Sequence, residues 1–178
     1  MYIKNTEQRY GIITICIHWI MALLLIGMLA LGLYMTDLPT SALKIKLFGL
    51  HKEFGILILM LVLVRLFWRL SNKSPSLNSL PTWERLAARA VHWAFYGFMF
   101  ALPISGWLIT SAANLPISFF GLFTLPNLIA PSEQLKSLFG EIHEWLAYGL
   151  IATICLHIVA ALKHHFINKD NILKGMIS

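Results

Sequence analysis

Seven histidines stand in a chain of 178 residues that is 58% hydrophobic and only 12% charged. Six of them flank or enter long apolar runs: His18, His51, His92, His143, His157 and His164; His165 lies just beyond. An ionisable ring at membrane depth is costly and points to function, with one hydrogen bond to a neighbouring helix as the alternative for any single histidine. In HEWLAYGLIATICLHIVAALKHH, residues 143–165, His143 and His157 are fourteen residues apart. That spacing is about four helical turns, so both rings share a face and lie about 21 Å apart along the axis. Two facing imidazoles without carboxylate or cysteine partners suit a low-spin haem b iron, which takes one axial nitrogen on each side of a flat macrocycle. Zinc would ask for four ligands, and none of these clusters offers a third and fourth.

Four spans must carry these rings. Soluble domains are about 25% charged, so this composition belongs to a membrane protein. The formal charge of +6 does not indicate nucleic acid, because no basic run interleaves with aromatics. A bilayer crossing needs about 20 apolar residues. The spans expected are about 12–35, 47–70, 90–113 and 138–162, forming one all-α four-helix membrane bundle over residues 1–178. The second is the weakest: its charge-free centre, Phe54–Val64, is short, with Lys52, Arg65 and Arg69 snorkelling from near its ends. The first run is too long for a signal peptide's apolar region. Lys and Arg divide ten against four between the two sides, which puts both termini in the cytoplasm by the positive-inside rule.

Depth then pairs the histidines. The fourth span runs inward, so His143 lies near the outer surface and His157 near the inner one. His18, on the outward first span, matches His157; His51, on the inward second span, matches His143. Each pair joins the fourth helix to another helix, and the two depths suit two haems stacked through the bilayer. Gly55, one turn beyond His51, either lets a porphyrin edge approach or reflects loose packing. Arg65 returns to the His51 face at the inner depth, where a guanidinium suits a haem propionate or serves as a snorkelling anchor. Arg69 reads first as such an anchor. His92, at inner depth on the third span, is a substitute axial ligand, a donor to a propionate or quinone, or a structural hydrogen bonder. His164 and His165 read first as a solvated basic end, with a quinone or proton site as the alternative. No catalytic residue is assigned.

The connections are informative too. The inner loop SNKSPSLNSLPTWER has Ser, Asn and Pro breakers, with Thr82 as a candidate helix N-cap and Glu84 in the first turn. The outer connection, about 20 residues with three prolines, is long and apolar for a loop and is expected on the membrane surface or folded back over the bundle. Its Phe119, Phe120 and Phe123 are interfacial anchors or a wall of a ligand site. Pro103, in FALPISGW, should kink the third span. Cys16 and Cys155 belong to no haem-attachment motif and read as small buried apolar residues.

Four pieces carry a family likeness: ITICIHWIMALLL, GLHKEFGILILMLVLVRLFWRL, HWAFYGFMFALPISG and HEWLAYGLIATICLHIVAALKHHFINKDNIL. Together they cover all four spans, and the chain resembles the bacterial cytochrome b561 family of dihaem four-helix membrane proteins. The resemblance implies haem ligation by His18, His51, His143 and His157, in agreement with the depth argument. It also implies an inner-membrane location and electron exchange with the quinone pool. Some stand-alone members are superoxide oxidases, passing electrons from periplasmic superoxide to ubiquinone. On that reading Lys44, Lys46, Lys52 and Lys136 steer an anion to the outer face, while Arg69, Lys73, His164 and His165 serve a quinone headgroup. The alternative is a haem b anchor subunit of a hydrogenase or formate dehydrogenase, with a redox partner protein in place of superoxide. A histidine-using ion or metal transporter and a purely structural bundle are further classes; the first predicts a colourless protein, and the second leaves the depth match to chance.

Overall fold

In lipid a backbone can satisfy its polar groups only within a helix or a closed barrel, so the four apolar runs become helices. The computed structural model describes residues 3–6, 9–73, 75 and 80–177. It contains α1 (Ile12–Asp37), α2 (Ala42–Ser71), α3 (Thr82–Ala112) and α4 (Glu133–Lys163), all long and apolar enough to cross a membrane. A π-helical turn, His164–Asn168, extends α4, and a single 3-10 turn follows at Lys174–Met176. Most apolar surface faces outward, as a lipid solvent requires: Leu23 is 70% exposed and Trp145 75%.

Every helix outruns its apolar run, because it continues through the headgroup layer with polar residues. The run that seemed weakest, the second, becomes a 30-residue helix. Ser41 caps it by accepting from the Lys44 amide at 3.2 Å, and Ser132 caps α4 by accepting from the Leu135 amide at 3.3 Å. No side chain caps α1, but Asn5 braces its start, its Oδ1 accepting from the Gly11 amide and the Thr14 hydroxyl at 2.8 and 2.7 Å. Thr82 is not the cap expected of it. Pro81 occupies the N-cap, Thr82 is the first helical residue, and no side chain caps α3. Most of the loop breakers, Ser74, Ser76, Asn78 and Ser79, lie outside the described residues.

Close backbone packing links α1 to α2, α2 to α3 and, most extensively, α3 to α4. Gly149 permits the last approach, since a Cβ there would sit 2.9 Å from the Phe98 ring. The buried core is Met21, Val62, Tyr96 and Met99, with Leu150 buried midway between His143 and His157. Cys16 and Cys155 are not in it: both are free and exposed on the lipid-facing surface, which corrects the buried reading.

The long apolar connection folds back over the bundle. It forms an antiparallel hairpin, β1 (Ile117–Phe119) and β2 (Phe123–Leu125), the one departure from an all-α chain among the described residues. Its turn needs positive φ at Phe120 (49°) and Gly121 (74°), which glycine adopts freely. Trp107 Nε1 donates to the Pro126 carbonyl at 3.0 Å, and the Ser111 hydroxyl accepts from the Leu128 amide at 3.1 Å. Phe120 meets Phe54 of α2 edge-on, at 5.3 Å between centroids. This end is called the hairpin end below; the opposite end, where α1 begins and α4 ends, is the terminal end.

Candidate haem-binding sites

Helical spacing fixes the rings at two levels. At the hairpin end, His51 of α2 faces His143 of α4 with ring centroids 6.2 Å apart and planes at 71°. At the terminal end, His18 of α1 faces His157 of α4 at 6.3 Å and 59°. The pairs are those that depth matching selected. Among the described residues, α4 packs its backbone far more extensively on α3 than on α1 or α2, which it meets across histidine rings.

That geometry can be tested against a haem iron. Metal–imidazole bonds are about 2.0 Å long, so two rings ligating one metal from opposite sides have centroids about 6 Å apart. Both pairs meet this. Among the described residues, no group of three or more His, Cys, Asp or Glu is placed to hold a metal ion, so neither pair belongs to a larger ligand cluster. At the hairpin end the Nδ1 of His51 is buried without a partner, and a Cβ at Gly32 would lie 3.3 Å from the His51 Cε1. Gly106 stands in the same relation to His143, at 3.4 Å. These two glycines crowd the rings; Gly55, the position singled out from the sequence, faces open space. The residues present fit axial ligation.

A family model described as prokaryotic cytochrome b561 matches residues 9–178. The chain belongs to that family. It is therefore a multi-pass bacterial membrane protein that binds haem b. Cytochrome b561 homolog 2 of Escherichia coli K12 is 42% identical over 99% of this chain and 95% of its own length. Cytochrome b561 homolog 1 of the same strain is 32% identical over 96% and 97%. A Yersinia pestis protein named "Probable superoxide oxidase CybB" is 29% identical, again over 96% and 97%.

The two ends of this cytochrome differ chemically. At the hairpin end, His143 Nδ1 lies 2.9 Å from the Ser105 hydroxyl, and that hydroxyl donates to the Leu102 carbonyl at 2.9 Å. At the terminal end, the Arg65 guanidinium lies 3.3 Å from His18 Nδ1. Arg69 is not a free anchor: it lies over the Trp93 and Tyr96 rings, at 6.0 and 5.5 Å. His92 reaches the same ring as His18, standing 6.2 Å from His157, so the terminal end gathers three imidazoles. Desolvation pushes the nearby Tyr10 phenol above its usual range against the pull of Arg69 and Arg65, and it stays neutral.

His164 is not a solvated basic residue. Its side chain is 12% exposed, with Nδ1 at 2.6 Å from Asp170 and Nε2 at 3.9 Å from Glu84. Lys163 pairs with the other Glu84 oxygen at 2.7 Å. His165 is set apart from this cluster in character, since its Nδ1 is buried with no hydrogen-bond partner among the described residues. The π turn brings Asp170 back: its amide donates to the His164 carbonyl, and Lys169 takes a left-handed φ of 54° to allow it. Sequence reasoning missed Ser105, Gly106, Gly32, Glu84 and Asp170 as site residues. Ser105 and Gly106, shortly after Pro103, were the available signal for two of them, because a hydroxyl and a glycine near a helix proline mark a turn that can receive a neighbouring group.

Proposed function

We propose that this cytochrome carries two haems b, one between His51 and His143 and one between His18 and His157, and passes electrons from superoxide to ubiquinone. The observation that carries the reading is the pair of facing imidazoles at two depths, each with the ring separation of a bis-histidine metal site. When bound, haem supplies one-electron oxidation and reduction along the bundle. The chain then forms one functional unit over residues 1–178, in the inner membrane, with the terminal end in the cytoplasm. The ten-to-four division of Lys and Arg supports that orientation.

Two superoxide anions each give one electron and leave as dioxygen; one ubiquinone takes both electrons and two protons to become ubiquinol. At the hairpin end the charges of Lys44, Lys46, Lys52 and Lys136 attract the anion. Lys52 also donates to the Pro116 carbonyl at 3.3 Å, which holds its charge beside the hairpin. At the terminal end Arg65 takes a propionate on this reading, which releases its contact with His18. His164, held by Asp170 with Glu84 and Lys163 adjacent, provides donors for a quinone headgroup and a route for its protons, and Arg69 of α2 is assigned to the same role. His92 supports His157 rather than ligating iron. The relative named a superoxide oxidase adds support from outside the geometry.

The test is a reduced-minus-oxidised spectrum of the purified protein with haem counted per chain, followed by superoxide with and without ubiquinone. Two b-type haems, reduced by superoxide and reoxidised by ubiquinone, are expected. Failure of superoxide to reduce them, with reduction only by a co-purifying soluble protein, would make the chain a membrane anchor subunit. A colourless preparation from haem-replete cells would end the reading.

A further inference from the structure

We infer that Ser105 is a positioning residue that fixes the tautomer of His143, and so decides which ring nitrogen is offered to a metal. A serine hydroxyl has one proton and two lone pairs. Ser105 spends its proton on the Leu102 carbonyl, one turn back on α3, at 2.9 Å. The same oxygen lies 2.9 Å from His143 Nδ1, and toward that atom it has only lone pairs left. With the hydroxyl proton assigned to Leu102, the hydrogen in that contact belongs to His143. A neutral imidazole carries a single N–H, so a proton on Nδ1 leaves Nε2 with a free lone pair. Nε2 is then the ligating atom, and the proton is held away from it.

The surrounding segment, Leu102-Pro103-Ile104-Ser105-Gly106, is built to deliver that hydroxyl. Pro103 lies inside α3 and has no N–H, so it removes one backbone bond from the turn that carries Ser105. Ser105 is 4% exposed, so water does not compete for its oxygen. Gly106 completes the contact, since a Cβ would stand 3.4 Å from His143 Cε1 and 3.7 Å from Nδ1. The other ring nitrogens show how specific this is. His51 Nδ1 is buried with no partner, and His18 Nδ1 faces a guanidinium, which can only donate. His143 is thus set in the metal-binding tautomer before any metal arrives, by a contact of a kind that the Nδ1 atoms of His51 and His18 do not have.

The inference rests on the haem assignment above. A ligand whose second N–H is hydrogen bonded is more basic and favours the oxidised metal. In the purified holoprotein, Ser105→Ala is expected to raise the midpoint potential of the haem that His143→Ala removes. A tenfold change in its oxidation equilibrium, about 59 mV for one electron, is the size expected. The other haem keeps its potential, and Ser105→Thr, which retains the hydroxyl, keeps the wild-type value. Selective loss of that haem from Ser105→Ala, with retention in Ser105→Thr, supports the inference equally. An unshifted potential in Ser105→Ala with both haems bound overturns it, and so does the same shift or loss in both variants, which would mark Ser105 as packing alone. Retention of both haems in His143→Ala overturns the haem assignment itself, so the two failures are distinguishable.

Discussion

The hairpin-end and terminal-end pairs have almost the same ring separation, 6.2 and 6.3 Å, and opposite surroundings. Around His51 and His143 stand a neutral hydroxyl, two glycines and an apolar hairpin. Around His18 and His157 stand two guanidiniums, a third imidazole and, beyond them, a carboxylate–histidine cluster. Helix spacing sets the distance between rings, but neighbours set their electronics. Cationic groups in a low-dielectric setting favour the electron-rich state of whatever they face. On the proposed assignment, an electron entering at the hairpin end therefore moves downhill toward the guanidiniums, in the direction of the quinone.

The sharpest way to break this comparison is to delete one ligand at a time. His143→Ala is expected to lower the haem count from about two per chain to about one, sparing the terminal-end spectrum, and His18→Ala to do the reverse, because single histidines hold metals cooperatively with their partners. His92→Ala should keep both haems. If His92→Ala removes the terminal-end haem while His18→Ala does not, the pairing at that end is His92 with His157. Loss of both haems together from His143→Ala would remove the independence of the two levels.

A smaller effect tests the electrostatic half of the comparison. Arg65→Gln removes one positive charge beside His18 and should lower the terminal-end midpoint potential while leaving the hairpin-end value in place. Its direction is opposite to that expected of Ser105→Ala at the other end. A redox titration resolving both haems checks it, and a rise at the terminal end would contradict the account.

The smallest effect addresses what the two ends share. Gly149→Ala inserts a methyl 2.9 Å from the Phe98 ring, at the seam of α3 and α4. Overpacking of this kind costs about 1–3 kcal/mol. Both haem bands should then be lost at the same, lower midpoint in a detergent melt, since the seam supports both levels. A melt in which only one band shifts would show that the ends are stabilised separately.

Much of the fold was legible because hydrocarbon leaves few choices. About 20 apolar residues in a row can only become a helix or be buried, and here each of the four runs falls on one helix, the third passing the end of α3 by one residue. Their ends were not legible, because Lys44, Glu84 and Glu133 belong to helical turns that run through the polar headgroup layer, where hydropathy carries no signal. Thr82 was misread for a related reason: a threonine before an apolar helix fits a cap, but the preceding proline took that position. The phenylalanines of the apolar connection gave its hydrophobicity but not its hairpin, since three-residue strands leave no lasting period. His164 looked solvated because nothing in Lys-His-His announces that a π turn will return Asp170 to it.

By itself the sequence determined which histidines share a level, because 1.5 Å per residue along a helix turns spacing directly into depth. Depth says nothing about rotation around the helix axis or about what a neighbouring helix presents. Only the tertiary structure decided that Ser105 of α3 meets His143, that Arg65 of α2 meets His18, and that a third imidazole, His92, shares His157. Those contacts join residues 38, 47 and 65 positions apart on different helices, and they depend on packing angles that no local pattern encodes.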